Sequence, residues 1–362
     1  MQEKLMEICT AFRLPGSFDR WEEVKVGNIN KTYKVTYARE NGLEKAYILQ
    51  RVNPFVFKNP EQVMENIERV TQHFRRLQPG KVTLHYHHTR DGKNFVRDGD
   101  YIWRVVNYIP SAPVTDARDE TLVRNAGFAF GEFQAVLSYF DPAQLYETIP
   151  DFHNTQKRFD ALEEAVEADS LGRVKEAEAE LSWLRSVRED ACCLCRMQEE
   201  GLLPLRVTHN DTKVNNVLFD KKDHRALVVI DLDTVMPGLA GNDFGDAIRS
   251  VANTAAEDEK DLSKVSCDLR MFRAFAEGFL EPTAHAFTQH EMDTFSISCF
   301  ALTVELAVRF LTDYLLGDPY FYCAYPAHNL VRARCQMALA RDMQRKMGEM
   351  EKIIADCAEK YR

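Results

Sequence analysis

The chain has 362 residues, 45% of them hydrophobic, which is enough for two domains or lobes with a substantial core. A formal net charge of -10 argues against a general nucleic-acid or anionic-membrane partner. No apolar run of the about 18 residues a membrane span needs stands out, and the N-terminal MQEKLMEICTAF lacks the apolar centre of a secretion signal. Nine cysteines with no zinc-finger spacing read as reduced thiols of a cytoplasmic protein.

The first hundred residues carry short strands. Alternating residues 21–26 and 32–37 flank Gly27-Asn28, the Asn41-Gly42 turn follows, and residues 46–52 make a third strand. After Asn59-Pro60, apolar Val63, Met64, Ile67, Val70 and Phe74 predict a helix over 61–77. Strands are expected over 81–87 and 101–109. Beyond Pro110 the pattern turns helical. Residues 122–139 carry a small-residue face (Ala126, Gly127, Ala129, Gly131), and 158–200 form a charged helical region broken near Leu171-Gly172. Helices are also expected over 261–277, 289–316 and 330–357. This predicts an α+β, two-lobed, protein-kinase-like fold, with a small antiparallel-sheet N-lobe (1–107) and a larger, mainly helical C-lobe (108–362).

One segment interrupts the helical half, VTHNDTKVNNVLFDKKDHRALVVIDLDT, residues 207–234. A short strand leads into His209-Asn210-Asp211, Val217–Phe219 leads out, and the apolar run 226–230 presents Asp231 at its end. Such a hairpin gathers Asp211, Asn216 and Asp231 into one volume. The residue types suit phosphoryl transfer, which asks a protein for alignment and charge neutralisation rather than covalent chemistry. Asp211 is the candidate base for a substrate hydroxyl. Asn216 and Asp231 are hard-oxygen ligands for magnesium, and Asp233 is either a further ligand or a cap. Lys213 can reach a γ-phosphate as a point charge. His209 is expected to fix the loop rather than react.

A glycine turn at Gly27 and Asn28 suits close backbone approach to phosphates. Residues 104–108, with Val106 and Tyr108, fall where an inter-lobe connector would offer backbone groups to an adenine. The lysine that a kinase-like third strand usually carries is absent. Gln50 takes its place, and Glu68 is the candidate acidic partner on the following helix.

The strings RVTHNDTKVNN, VVIDLDTVMPG and DFGDAIR resemble the aminoglycoside phosphotransferase and choline kinase superfamily. GNINKTYKV, AYILQRVN, EDEKDLSKV, VRFLTDYLLGD and YPAHNLVRARCQ are most similar to its N-acetylhexosamine 1-kinase group, which also has glutamine in place of the lysine. The resemblance implies ATP- and magnesium-dependent phosphorylation of N-acetylglucosamine and N-acetylgalactosamine on the anomeric hydroxyl. It implies that Asp211 is the base, that Asn216 and Asp231 hold Mg2+, and that Asn30, Arg309 and Tyr320 meet the sugar. It also implies that Asp246 braces the catalytic loop. From the residues alone, Arg309 could equally pair with Glu305 or Asp313, and Tyr320 could be core. Two alternatives remain: a kinase of the same fold for another hexose, amino alcohol or aminoglycoside, and a non-catalytic nucleotide-binding scaffold.

Overall fold

The computed structural model describes residues 1–24, 30–54, 57–114 and 119–362. The expected phosphate turn at Gly27 and Asn28 lies outside the described residues. Helix α1 (Gln2–Thr10) precedes β1 (Ser17–Val24), β2 (Lys31–Ala38) and β3 (Glu44–Val52). Then come α2 (Pro60–Leu77), β4 (Val96–Asp98) and β5 (Tyr101–Asn107). The strands form one antiparallel sheet in the order β1-β2-β3-β5-β4. Alternation along β2 sends Tyr33, Val35 and Tyr37 into a core shared with Leu5 and Ile8 of α1. Val63, Met64, Ile67 and Val70 of α2 are buried at helical spacing, as the apolar period requires.

The strand expected over 81–87 is not formed. That segment makes one bridge, Tyr86 to Val106, because β4 occupies the same edge of β5 over residues 101–103. Only the end of β5 remains, where His87 N–H donates to Val105 O and Asn107 N–H to His85 O.

The helical part contains α3 (Glu120–Leu137), α4 (Thr155–Ala168), α5 (Glu178–Ala191) and α6 (Cys193–Glu199). It continues through β6 (Arg206–Thr208), β7 (Val217–Phe219), β8 (Ala226–Val229) and β9 (Met236–Gly238). It ends with α7 (Ala240–Val251), α8 (Leu269–Leu280), α9 (Gln289–Leu315) and α10 (His328–Tyr361). β7 pairs with β8, and β6 with β9, so the interrupting segment is a pair of short ladders set into helices. The small-residue face of α3 packs on α8: a Cβ on Gly127 would lie 2.3 Å from Phe275 O, and one on Gly278 of α8 2.0 Å from Arg124 O. These helices touch backbone to backbone.

Two expectations need correction. The helix foreseen from Asp261 starts only at Leu269. Before it, Thr254 Oγ1 takes the Ser266 N–H and Asp342 takes the Cys267 N–H, so tertiary partners claim donors that a helix would have used. Helix α9, read as having no membrane-length apolar run, does hold an 18-residue window of mean hydropathy 1.5. The fold buries 83% of that window, which makes α9 the central core helix of the lobe.

Candidate active site

The loop after β6 is held from beneath by α7. Asp243 accepts the backbone N–H groups of His209 (2.9 Å) and Asn210 (2.7 Å), and Gln134 Nε2 donates to it at 2.7 Å. Burial pushes the Asp243 carboxyl upward against those donors. One helical turn on, Asp246 accepts the Thr212 N–H at 2.9 Å and Arg249 at 2.8 Å. Burial opposes its ionisation, but Arg249 and Lys213 hold it at about 2. His209 Nδ1 accepts from the Asp211 N–H at 3.3 Å and its Nε2 lies 2.9 Å from Ile230 O, so the ring carries its proton on Nε2 and ties the loop to β8. Asn210 takes a left-handed φ of 64°, which asparagine tolerates, and its side chain donates to Thr234 O.

Held this way, the loop brings together the residues singled out from sequence. Asn216 Nδ2 donates to the Asp211 carboxylate at 3.0 Å and to its carbonyl at 2.8 Å. Both donors of that amide point at Asp211, which leaves Asn216 Oδ1 as the ligand atom. Lys213 Nζ lies 2.6 Å from the other Asp211 oxygen. Burial works against the Lys213 charge, yet Asp211 and Asp246 raise its pKa. The Ile230 N–H donates to Asn216 O at 2.8 Å, which places Asp231 beside the loop. Asp231 adopts φ 61° and faces solvent. Surrounding protein atoms, then the charges of Asp233 and Asp211, push its carboxyl up to about 6.

Asp233 sits differently from the ligand role foreseen for it. Its two oxygens are engaged by Arg104 Nη1 and by Asn30 Nδ2, the latter at 2.6 Å. Asn30 also accepts the Asn53 N–H at 3.0 Å, so it ties β-lobe segments to the Asp233 turn. Gln50 accepts from Arg104 Nε at 3.0 Å and donates to Thr32 at 3.3 Å. The residue opposite Gln50 in register is a cation, Arg104 of β5, whose charge is engaged by Asp233. Burial opposes that charge, but Asp233 and Tyr86 raise its pKa above the usual guanidinium value. Glu68 is not its partner; it accepts from His88 (2.8 Å) and Asn94 (2.6 Å). Val106 is paired with Ile48 on one side and bridged to Tyr86 on the other, and the Tyr108 N–H donates to Ala46 O at 3.4 Å. The sheet therefore already uses backbone that the adenine-edge expectation assigned to a free connector.

Arg309 of α9 forms an ion pair with neither Glu305 nor Asp313 among the described residues. Glu305 accepts from Thr155 (2.8 Å) and lies 2.9 Å from His153 Nδ1. Asp313 accepts the Tyr320 and Phe321 N–H groups. The Arg309 guanidinium instead lies 5.6 Å from the Phe152 ring centre and 5.5 Å from that of Phe321. Tyr320 is 64% exposed, which excludes a core role. Burial lowers the Arg158 pKa, and the charge of nearby Arg309 lowers it further.

Arg104, Asp243 and His153 were not assigned roles from sequence. Arg104 carried a signal, a lone charge inside the apolar strand YIWRVVN, because a buried charge must find a partner. His153 carried none.

A sequence profile of the APH phosphotransferase enzyme family matches residues 20–274. The chain belongs to the phosphotransferase enzyme family. Solved structures share its fold. An aminoglycoside phosphotransferase from Alicyclobacillus acidocaldarius has a TM-score of 0.63 at 14% identity, covering 97% of this chain and 96% of its own. A choline kinase from Cryptosporidium parvum Iowa II has a TM-score of 0.59 at 11% identity, covering 99% and 100%. The amicoumacin kinase hAmiN, solved with AMP-PNP and Ca2+, has a TM-score of 0.59 at 13% identity, covering 98% and 93%.

In this phosphotransferase the donor set fits a divalent cation that uses few protein ligands. Asn216 presents a fixed oxygen, and Asp231, whose carboxyl is pushed up first by burial and then by the charges of Asp233 and Asp211, stands beside it. Among the described residues no cluster of three or more His, Cys, Asp or Glu forms a metal cage. Magnesium does not need one, because phosphates and water complete its shell.

Proposed function

We propose that this phosphotransferase uses ATP and magnesium to phosphorylate N-acetylglucosamine and N-acetylgalactosamine at the anomeric hydroxyl, in a cleft between residues 1–107 and 108–362. The observation that carries the reading is the Asp211 carboxylate, held between Asn216 Nδ2 at 3.0 Å and Lys213 Nζ at 2.6 Å on a loop braced by Asp243 and Asp246. Asp211 accepts the proton as the sugar oxygen bonds to the γ-phosphorus and ADP departs with the electrons of the broken P–O bond. Lys213 exchanges its ion pair with Asp211 for the transferring phosphoryl oxygens. Asn216 Oδ1 and Asp231 would hold Mg2+, which would supply charge neutralisation to the phosphates. Asp233 is left out of the ligand set, because Arg104 and Asn30 occupy it.

The sugar assignment rests on the C-terminal strings that resemble the hexosamine kinases and on the charge beside Arg309. Arg309 and Arg158 are neighbouring cations, and Glu305, the carboxylate whose charge both feel, is bonded to His153 and Thr155. Such an acceptor end suits a neutral, carbonyl-bearing amide and disfavours the cationic amine of an amino alcohol. The test is ADP release across N-acetylhexosamines, hexoses, amino alcohols and aminoglycosides, with the phosphorylated position read by phosphorus NMR. No ADP above background with either N-acetylhexosamine overturns the substrate, and a product that keeps its reducing end overturns the position.

A further inference from the structure

His153 holds a buried polar atom that nothing in the fold explains. Its side chain is 8% exposed, and its Nε2 has neither solvent nor a hydrogen-bond partner. Leaving such a group unmet costs about 1–3 kcal/mol, which a hydrogen-bonding ligand would recover. The other ring nitrogen is fixed: Nδ1 lies 2.9 Å from Glu305 Oε1, and Thr155 Oγ1 holds the second Glu305 oxygen at 2.8 Å. Burial opposes the Glu305 charge, but His153 and Arg309 keep its pKa below the ordinary value. The Glu305 carboxylate sets Nδ1 as a donor and leaves Nε2 as the ring atom without a partner.

His153 also has links toward Arg309 and toward the loop of Asp211. Its ring stands 4.6 Å from that of Phe152, over which Arg309 is stacked. On the other side it is within electrostatic reach of Asp246, which anchors the loop of Asp211. Next to it, Arg158 Nε is a second buried atom with no partner.

We propose that His153 is a specificity-determining residue for the acceptor, its Nε2 forming a hydrogen bond with a sugar hydroxyl while Glu305 holds the ring through Nδ1. The inference rests on the acceptor reading above but involves different atoms. The chemistry recognised is a neutral polyol hydroxyl; Arg158 Nε beside it donates to an oxygen of the same ligand.

The experiment is steady-state kinetics of full-length His153→Phe, His153→Asn and His153→Gln, with KM for sugar and for ATP measured separately. His153→Phe and His153→Asn are expected to raise the sugar KM at least tenfold with ATP KM unchanged; His153→Phe also lowers the melting temperature by stranding Glu305, whereas His153→Asn, whose amide takes the Nδ1 place, keeps it. His153→Gln, whose amide oxygen reaches the Nε2 position, is expected to recover much of the loss. A fall in melting temperature with both KM values altered together, or no change in either, overturns the proposal. Failure of the substrate reading appears in the wild type, as no turnover of N-acetylhexosamines. The same KM split is then read on whichever acceptor in the panel releases ADP.

Discussion

Arg104 and Asp233 form an ion pair between the sheet and the metal turn, with side chains only 1% and 4% exposed. Gln50 and Asn30 complete it from β3 and from the residue before β2. Removing one partner strands the other charge, which costs about 3–5 kcal/mol in comparable buried pairs. Arg104→Met and Asp233→Asn should each lower the urea midpoint strongly. The double variant should lose less than the sum of the two. Additive losses would show that the pair does not act as a unit.

Asp211→Asn keeps the shape and the Asn216 contact but removes the proton acceptor. The turnover number is expected to fall by about 10²–10⁴ with ATP binding retained. Turnover measured beside a calorimetric ATP titration checks this; an unchanged rate removes Asp211 from its role.

Magnesium and ADP together should stabilise the protein by about 2.7 kcal/mol at a hundred times the dissociation constant. In Asp231→Asn and Asn216→Ala most of that gain should vanish, while Asp233→Ser, despite its lower baseline, should keep it. Thermal shifts with and without MgCl2 decide between the two-ligand set and one that includes Asp233.

Asp246 and Asp342 are both held at about 2, each against the cost of burial, by Arg249 and Lys213 in one case and chiefly by Lys346 in the other. Unfolded aspartate titrates near about 3.9. A lowered folded pKa adds stability that is complete above the unfolded value and is lost as pH falls from about 4 through about 2. Each group contributes on the order of 2 kcal/mol. The urea midpoint should therefore drop steeply below about pH 4, and less steeply in Asp342→Asn.

Gly278→Ala places a methyl 2.0 Å from Arg124 O, on backbone that cannot step aside. A loss of about 1–3 kcal/mol is expected from overpacking. Gly348→Ala, with nothing within 4 Å, is the control and should be neutral or better. Equal melting temperatures for the two variants would contradict the close α3–α8 approach.

Periodicity and punctuation in the sequence foretold the α+β division, the β7–β8 hairpin and the gathering of Asp211, Asn216 and Asp231, because these are local in the chain. The same reading foresaw a close-packing face on α3, since glycine and alanine at helical spacing have no other structural use there. Partners distant in sequence were beyond it. Which carboxylate is free and which is neutralised depends on segments far apart: Arg104 meets Asp233 across 129 positions, and Glu305 meets His153 across 152. The helix foreseen from Asp261 likewise yielded to Thr254 and Asp342, which took its backbone donors. Residue types and short spacings determined what chemistry this chain carries. Tertiary structure decided which of those groups remain available for it, because burial makes every charge and donor find a partner wherever the fold places one.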